Sequence, residues 1–221
     1  MTKALKHHPD SHLLVEFSAG SLDIAPSLCV SAHLHFCAKC RSELSKLDEI
    51  GSHFLSQSNP TEVNEQLFEN VMNEIDRTEH KSTEPEPDET LQHFPAPIKK
   101  LITAAKNTLT WQRLSSSIDR AKLLTGQNKF EVALHRIKAG ATIPKHDHSG
   151  TEYTVVLEGS FSDEQSVYTE GDFVIRSPGD VHQPMGAKHS DCICLSAVDA
   201  PVKLTSPLGF LFRPWLKIDP M

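Results

Sequence analysis

Nowhere does the sequence hold a run of about 18 apolar residues, the length a helix needs to span a bilayer, so no membrane span is expected. The opening residues, Met1-Thr2-Lys3-Ala4-Leu5-Lys6-His7-His8, lack the apolar stretch of a secretory leader; the expected location is the cytoplasm. Basic charge is short as well: 22 Lys and Arg against 29 Asp and Glu leave a net charge of −7. Phosphate contacts need a basic face, so no direct nucleic-acid binding is expected, while a basic protein partner is permitted. Cysteines number five, an odd count for a reducing compartment, which disfavours a disulfide framework. No internal repeat is evident. The remaining composition, 38% hydrophobic and 23% charged over 221 residues, suits a globular protein of two ordinary domains.

What is abundant is histidine, with thirteen residues, and the cysteines are grouped: Cys37 and Cys40 as C-x-x-C, Cys192 and Cys194 as C-x-C, Cys29 alone. Both facts direct attention to metal.

The first eighty residues carry helical patterning. Asp10 or Ser11 can cap a helix through Leu13, Leu14 and Phe17 that ends near Gly20. A second apolar stretch runs from Leu28 to Leu34, and a third includes Leu44, Leu47, Ile50 and Phe54. For a fourth helix, Asn59 is the expected cap, with Pro60 at the first position and Glu62 closing a capping box. Its Val63, Leu67, Phe68, Val71, Met72 and Ile75 form an apolar stripe opposite an acidic face. Such a stripe either closes the domain's own core or docks in a partner's groove. His80 to Thr90, with Pro85, Pro87 and its acids, reads as an extended, solvated linker.

Beyond the linker the period falls to two. Phe130, Val132 and Leu134 alternate, as do Tyr153, Val155 and Leu157, with turns at Gly140, Gly150, Gly159, Gly171 and Gly179. Short strands so spaced imply a barrel or sandwich. The apolar tail from Leu208 to Leu216 either closes the barrel or meets another protein.

Two strings carry metal chemistry in this half. Gly140, His146, His148, Glu152 and Gly159 read G-x5-H-x-H-x3-E-x6-G. On a strand His146 and His148 point to one face, and Glu152 shares their parity. The second string runs from Gly171-Asp172 through Pro178-Gly179 to His182. Three imidazoles and a carboxylate suit Zn²⁺ or another divalent transition metal; a closed set of four favours zinc without catalysis, since a catalytic ion keeps an open position. Both strings resemble the two cupin motifs, the second with its proline one residue closer to the histidine than usual. His135 and His189 lie outside both and read as ordinary surface or core residues. Cys192 and Cys194 share one strand face, either as oxidation targets or secondary ligands, or as two small buried hydrophobes.

In the N-terminal half His33, Cys37 and Cys40 read H-x3-C-x2-C, which converges in continuous helix or through a turn at Cys37. Two thiolates and an imidazole suit zinc and need a fourth ligand. The candidates are His7, His8, His12 and Cys29. His12 would fall inside the first helix and Cys29 on the side of the second away from His33, so the pair ahead of the first helix is better placed. A redox C-x-x-C would need a strand-turn-helix setting, which is absent. A structural zinc would supply about 10–16 kcal/mol to a small bundle with a thin core.

The early histidine pair, Ala19-Gly20-Ser21-Leu22 at the end of the first helix, the zinc string and both cupin motifs together resemble the ChrR type of zinc-binding anti-sigma factor over nearly the whole chain. The resemblance implies two domains: a small all-α zinc-binding bundle (residues 1–80), a linker (81–97) and an all-β cupin jelly-roll barrel (98–221). It implies His8 as the fourth N-terminal zinc ligand and His146, His148, Glu152 and His182 as the cupin ligands. It further implies a one-to-one complex in which the zinc domain blocks an extracytoplasmic-function sigma factor. Release would follow a singlet-oxygen-like oxidant sensed by the cupin, with no catalysis. The alternative is a metal-dependent cupin enzyme, a dioxygenase or isomerase, with a helical accessory domain.

Overall fold

The computed structural model of the chain describes residues 4–77, 91, 94–104 and 109–205. Most of the expected linker, and the apolar tail from Leu208 to Leu216, lie outside the described residues. Among them, helices come first and an antiparallel barrel follows, as expected.

Helix α1 (Ser11–Ser18) begins where the Asp10 carboxylate accepts the Leu13 N–H at 2.8 Å, one of the orphan donors of a helix start. It ends ahead of Gly20, whose φ of +70° few other residues adopt. Helices α2 (Ile24–Phe36) and α3 (Ala38–Ser56) meet at one extended residue, Cys37, with φ −103° and ψ 100°. The H-x3-C-x2-C string therefore straddles a break between helices rather than lying on continuous helix.

Helix α4 (Glu65–Arg77) starts later than its sequence signals suggest. Asn64, not Asn59, offers its side-chain oxygen to a helix N–H, that of Gln66 at 2.9 Å. A second asparagine one turn downstream competes as a cap, and Pro60 and Glu62 stay outside the helix. Every residue of α4 is exposed, so among the described residues its apolar stripe closes no core.

An unanticipated helix, α5 (Ala96–Ala104), precedes the strands. Pro97 stands in its first turn, where a missing N–H costs nothing. Leu91 and Phe94, inside the segment expected as linker, are buried with Ile98 and Ile102.

The strands are β1 (Gln112–Arg113), β2 (Ile118–Lys122), β3 (Glu131–Ile137), β4 (His146–His148), β5 (Glu152–Glu158), β6 (Ser160–Ser162), β7 (Val167–Thr169), β8 (Phe173–Arg176), β9 (Met185–Gly186), β10 (Cys192–Val198) and β11 (Val202–Leu204). They form a six-stranded sheet in the order β1-β2-β3-β10-β5-β8, with the smaller sheets β11-β4 and β7-β6-β9, all paired antiparallel.

Side-chain alternation sends the large sheet's residues to two faces. Val132, Leu134, Val155, Leu157, Leu195 and Ala197 face the helices, in one cluster with Cys29 and Val30 of α2 and Ile98 and Ile102 of α5. Ile137, Val156, Phe161, Tyr168, Val174, Cys192 and Cys194 form the opposite cluster. Because α2 buries residues on most of its sides (Ala25, Pro26, Cys29, Val30, Ala32 and His33), it needs cover all round, and the sheet provides it together with α1, α3 and α5. Helices α1, α2 and α5 thus share one core with the barrel, Leu47 of α3 packs against it, and this part of the helical segment does not rest on a thin core of its own. Among the described residues no helix is long and apolar enough to cross a membrane.

Candidate metal centres

Four side chains of the N-terminal segment bring their donor atoms within 4.8 Å of one another: His8, His33, Cys37 and Cys40. The break at Cys37 makes this possible. It ends α2 just after His33 and starts α3 just before Cys40, whose N–H bonds the Cys37 Sγ at 3.4 Å. His33 Nε2 stands 3.2 Å from Cys40 Sγ, and His8 Nδ1 stands 3.4 Å from each sulfur. Tetrahedral zinc bonds of ~2.0 Å to nitrogen and ~2.3 Å to sulfur put adjacent donors about 3.5 Å apart. The four donors match that size and that donor chemistry.

Electrostatics agree with the fit. Burial holds His33 down at about 4, and burial, then the charge of Lys39, lowers His8, so both rings are neutral lone-pair donors near pH 7. Burial and the neighbouring Cys37 push the Cys40 thiol up to about 12. Two adjacent thiolates here require a compensating cation. The His33 tautomer is fixed: its Nδ1 lies 2.7 Å from the Gly171 carbonyl oxygen, which only accepts, so Nδ1 carries the proton and Nε2 faces Cys40.

The other candidates for the fourth position are turned elsewhere. His7 puts Nε2 2.9 Å from Ser166 Oγ and its ring 4.7 Å from that of Tyr168. Neighbours on an extended chain face opposite ways, which separates His7 from His8. His12 is exposed beside Glu16. Cys29, one helical turn before His33, lies on the same flank of α2 rather than the far one, but its thiol meets the Tyr153 carbonyl at 3.7 Å.

The second cluster joins His146, His148 and His182, all buried. Strand β4 turns His146 and His148 to one side. A bridge between His146 and His182, with backbone bonds of 3.0 Å in both directions, sets the third ring opposite the first. The Nε2 atoms converge, 3.0 Å between His148 and His182 and 3.1 Å between His182 and His146. The Nδ1 atoms turn outward: His146 to the Pro144 carbonyl at 2.9 Å, His182 to Asp163 Oδ2 at 3.0 Å. Burial lowers His146 and His148, leaving them neutral, as metal ligands must be.

Glu152 is adjacent but not among the converging donors. Its Oε2 lies 3.2 Å from His148 Nδ1, out of alignment for a hydrogen bond, and its Oε1 accepts from Thr154 at 3.0 Å. Burial alone would raise this carboxyl; the rings of His148, His135 and His146 outweigh it and hold it low.

Sequence reasoning missed the residues behind the ligands. The Asp163 side chain is fully buried and binds His182, Arg176 and the N–H groups of Gln165 and Ser166. It belongs to the β6–β7 hairpin and to neither string, so no spacing signals it. His135 is a half-buried histidine bonded to Ser196 at 3.0 Å, and His189 is exposed. Cys192 and Cys194 do share a face, with sulfurs 3.6 Å apart and both buried. The hydrogen bond with Cys192 and then burial raise the Cys194 thiol, which suits packing more than reactivity.

Comparison with known proteins adds a consistent picture. A family model described as the ChrR cupin-like domain matches residues 99–200. The anti-sigma-E factor ChrR of Cereibacter sphaeroides is 33% identical over 215 residues, 97% of this chain and 99% of that protein. The crystal structure of Rhodobacter sphaeroides SigE in complex with the anti-sigma ChrR contains a chain that matches at a TM-score of 0.72 and 31% identity. That match covers 89% of this chain and 100% of the other.

Proposed function

The chain belongs to the family of the anti-sigma factor ChrR, and on that premise we propose that it sequesters an extracytoplasmic-function sigma factor, one to one, through its N-terminal helices. The observation that carries this reading is the bare apolar face of α4. Leu67 and Phe68 are 53% and 68% exposed, and Val71, Met72 and Ile75 continue the stripe. Ile50, Phe54 and Leu55 at the end of α3 are exposed as well. Bare apolar surface on each of these two helices fits a partner's groove.

His8, His33, Cys37 and Cys40 are the proposed zinc ligands of this part. A bound zinc would stabilise the thiolates and tie the chain ahead of α1 to the α2–α3 junction, which is folding free energy. His146, His148 and His182 are the proposed ligands of zinc or another divalent transition metal in the barrel, with Glu152 swinging from His148 Nδ1 to complete the set. The barrel is the sensory part, its imidazoles open to singlet-oxygen-like oxidants, and the chain performs no turnover. A cytoplasmic setting, where thiols stay reduced, suits the two free thiols of the zinc site.

The test is co-purification with the sigma factor. A stable one-to-one complex that survives His146→Ala, but whose oxidant-triggered release does not, supports the division of labour; loss of the complex in that variant overturns it. The position of Glu152 outside the imidazole cluster favours a second reading, a cupin enzyme with an open metal position. Absence of any complex, with turnover of a small molecule, would establish that one instead.

A further inference from the structure

The N-terminal cluster is not surrounded by N-terminal residues alone. The turn between β7 and β8, which the sequence presents as part of a barrel motif, reaches it at three points. The Gly171 carbonyl accepts from His33 Nδ1 at 2.7 Å. The Asp172 carboxylate, 2% exposed, accepts the backbone N–H groups of Lys6 and His7, both at 3.1 Å, through Oδ1. Its Oδ2 is anchored by the N–H and hydroxyl of Thr169 at 2.8 and 3.1 Å. The Phe173 N–H then donates to the His7 carbonyl at 3.1 Å.

The approach is too close for any residue but glycine at 171. Its φ is +88°, and a Cβ there would stand 2.7 Å from Phe36 Cβ and 2.9 Å from Leu5 Cδ1. Phe36 is the last residue of α2, one before Cys37, and Leu5 leads into the histidine pair. The barrel turn is wedged between the two segments that carry the nitrogen donors.

We infer that the Gly171–Asp172 turn is a positioning clamp for the N-terminal metal cluster, orienting His33 through the Gly171 carbonyl and His8 through the backbone of Lys6 and His7. This rests on the reading that His8, His33, Cys37 and Cys40 hold a metal ion. A carbonyl on the outer nitrogen of a ligating histidine fixes its tautomer and ring plane, and losing such partners typically costs 10–100-fold in metal affinity. Here the partners come from the barrel, so a displacement of the barrel turn changes how firmly the cluster holds its ion. The β6–β7 hairpin, at the other end of β7, links the two clusters as well: Ser166 bonds His7, and Asp163, which accepts the Ser166 N–H, bonds His182.

The test uses the full chain loaded with cobalt(II). Only the thiolate-bearing cluster gives sulfur-to-cobalt charge-transfer absorption, so the band reports that cluster and not the imidazole one. The rate at which excess EDTA bleaches the band is compared among Asp172→Ala, Asp172→Asn and Ile137→Ala. The last thins the barrel core without touching the turn. The clamp predicts roughly tenfold or more faster bleaching in Asp172→Ala, a smaller increase in Asp172→Asn, which keeps one acceptor oxygen, and the parent rate in Ile137→Ala. If Asp172→Ala does not fold, Asp172→Asn carries the comparison. Parent-rate bleaching in the Asp172 variants, or bleaching that follows lost thermal stability in all three, overturns the clamp. Absence of the band from the unsubstituted chain overturns instead the metal reading beneath it.

Discussion

The Asp163 carboxylate lies 3.0 Å from Nδ1 of His182, 19 residues away, and holds that ring's Nε2 toward His146 and His148. Arg176 and Tyr168 bind the same carboxylate and each other, so Asp163 has little freedom to let the ring turn. Replacing it with alanine should weaken metal binding in the barrel about 10–100-fold. A chelator competition in a Cys37→Ser/Cys40→Ser background, where only the barrel reports, measures this. Unchanged affinity would show that His182 needs no such support.

The same residue predicts a pH dependence. Burial would raise the Asp163 carboxyl, but the His182 ring, the Gln165 N–H and Arg176 outweigh it and hold it at about 2. Its folded value is depressed below the ordinary ~3.9. The associated stability is therefore complete above that ordinary value and lost as pH falls through about 2. Thermal melts of the chain and of Asp163→Asn should differ most near neutral pH and converge at the acid end; a gap independent of pH would contradict the assignment.

Charge on the face of α4 should separate folding from partner binding. Leu67→Asp and Phe68→Asp change exposed positions, so stability should move by no more than about 0.5 kcal/mol. Affinity for the sigma factor should fall by about 2 kcal/mol or more, the scale of a buried interface anchor, roughly thirtyfold. Titration calorimetry beside a thermal melt checks both, and undiminished binding would move the docking face elsewhere.

Core packing between helix and barrel gives the fourth test. Ile98 is fully buried in the cluster joining α2, α5 and the sheet. Ile98→Ala should cost about 2–5 kcal/mol in urea unfolding, although the residue lies in neither metal string. A loss under 1 kcal/mol would mean that α5 is not part of the cooperative core.

Much of this was legible in the chain because it is local. Strand parity placed His146 and His148 together, three and four residues of helix or a turn at Cys37 were enough to gather His33, Cys37 and Cys40, and Asp10 announced α1. Where local signals competed, they misled: Asn59 with Pro60 and Glu62 looked the better cap, yet Asn64 is the one used. Helix α5 was missed because the prolines and acids before it suggested linker, while its burial depends on a sheet far along the chain.

The sequence by itself determined which residue types stand at ligand spacing, and that helices precede an antiparallel barrel. Tertiary structure alone decided that His8 rather than His7 turns to the thiols, that Glu152 stands behind His148, and that Asp163 and the Gly171–Asp172 turn back the ligands. The reason is distance along the chain: His33 and Gly171 are 138 positions apart. No periodicity reaches that far. Only the packing of α2 on the barrel sheet, driven by burial of its apolar sides, brings the two together.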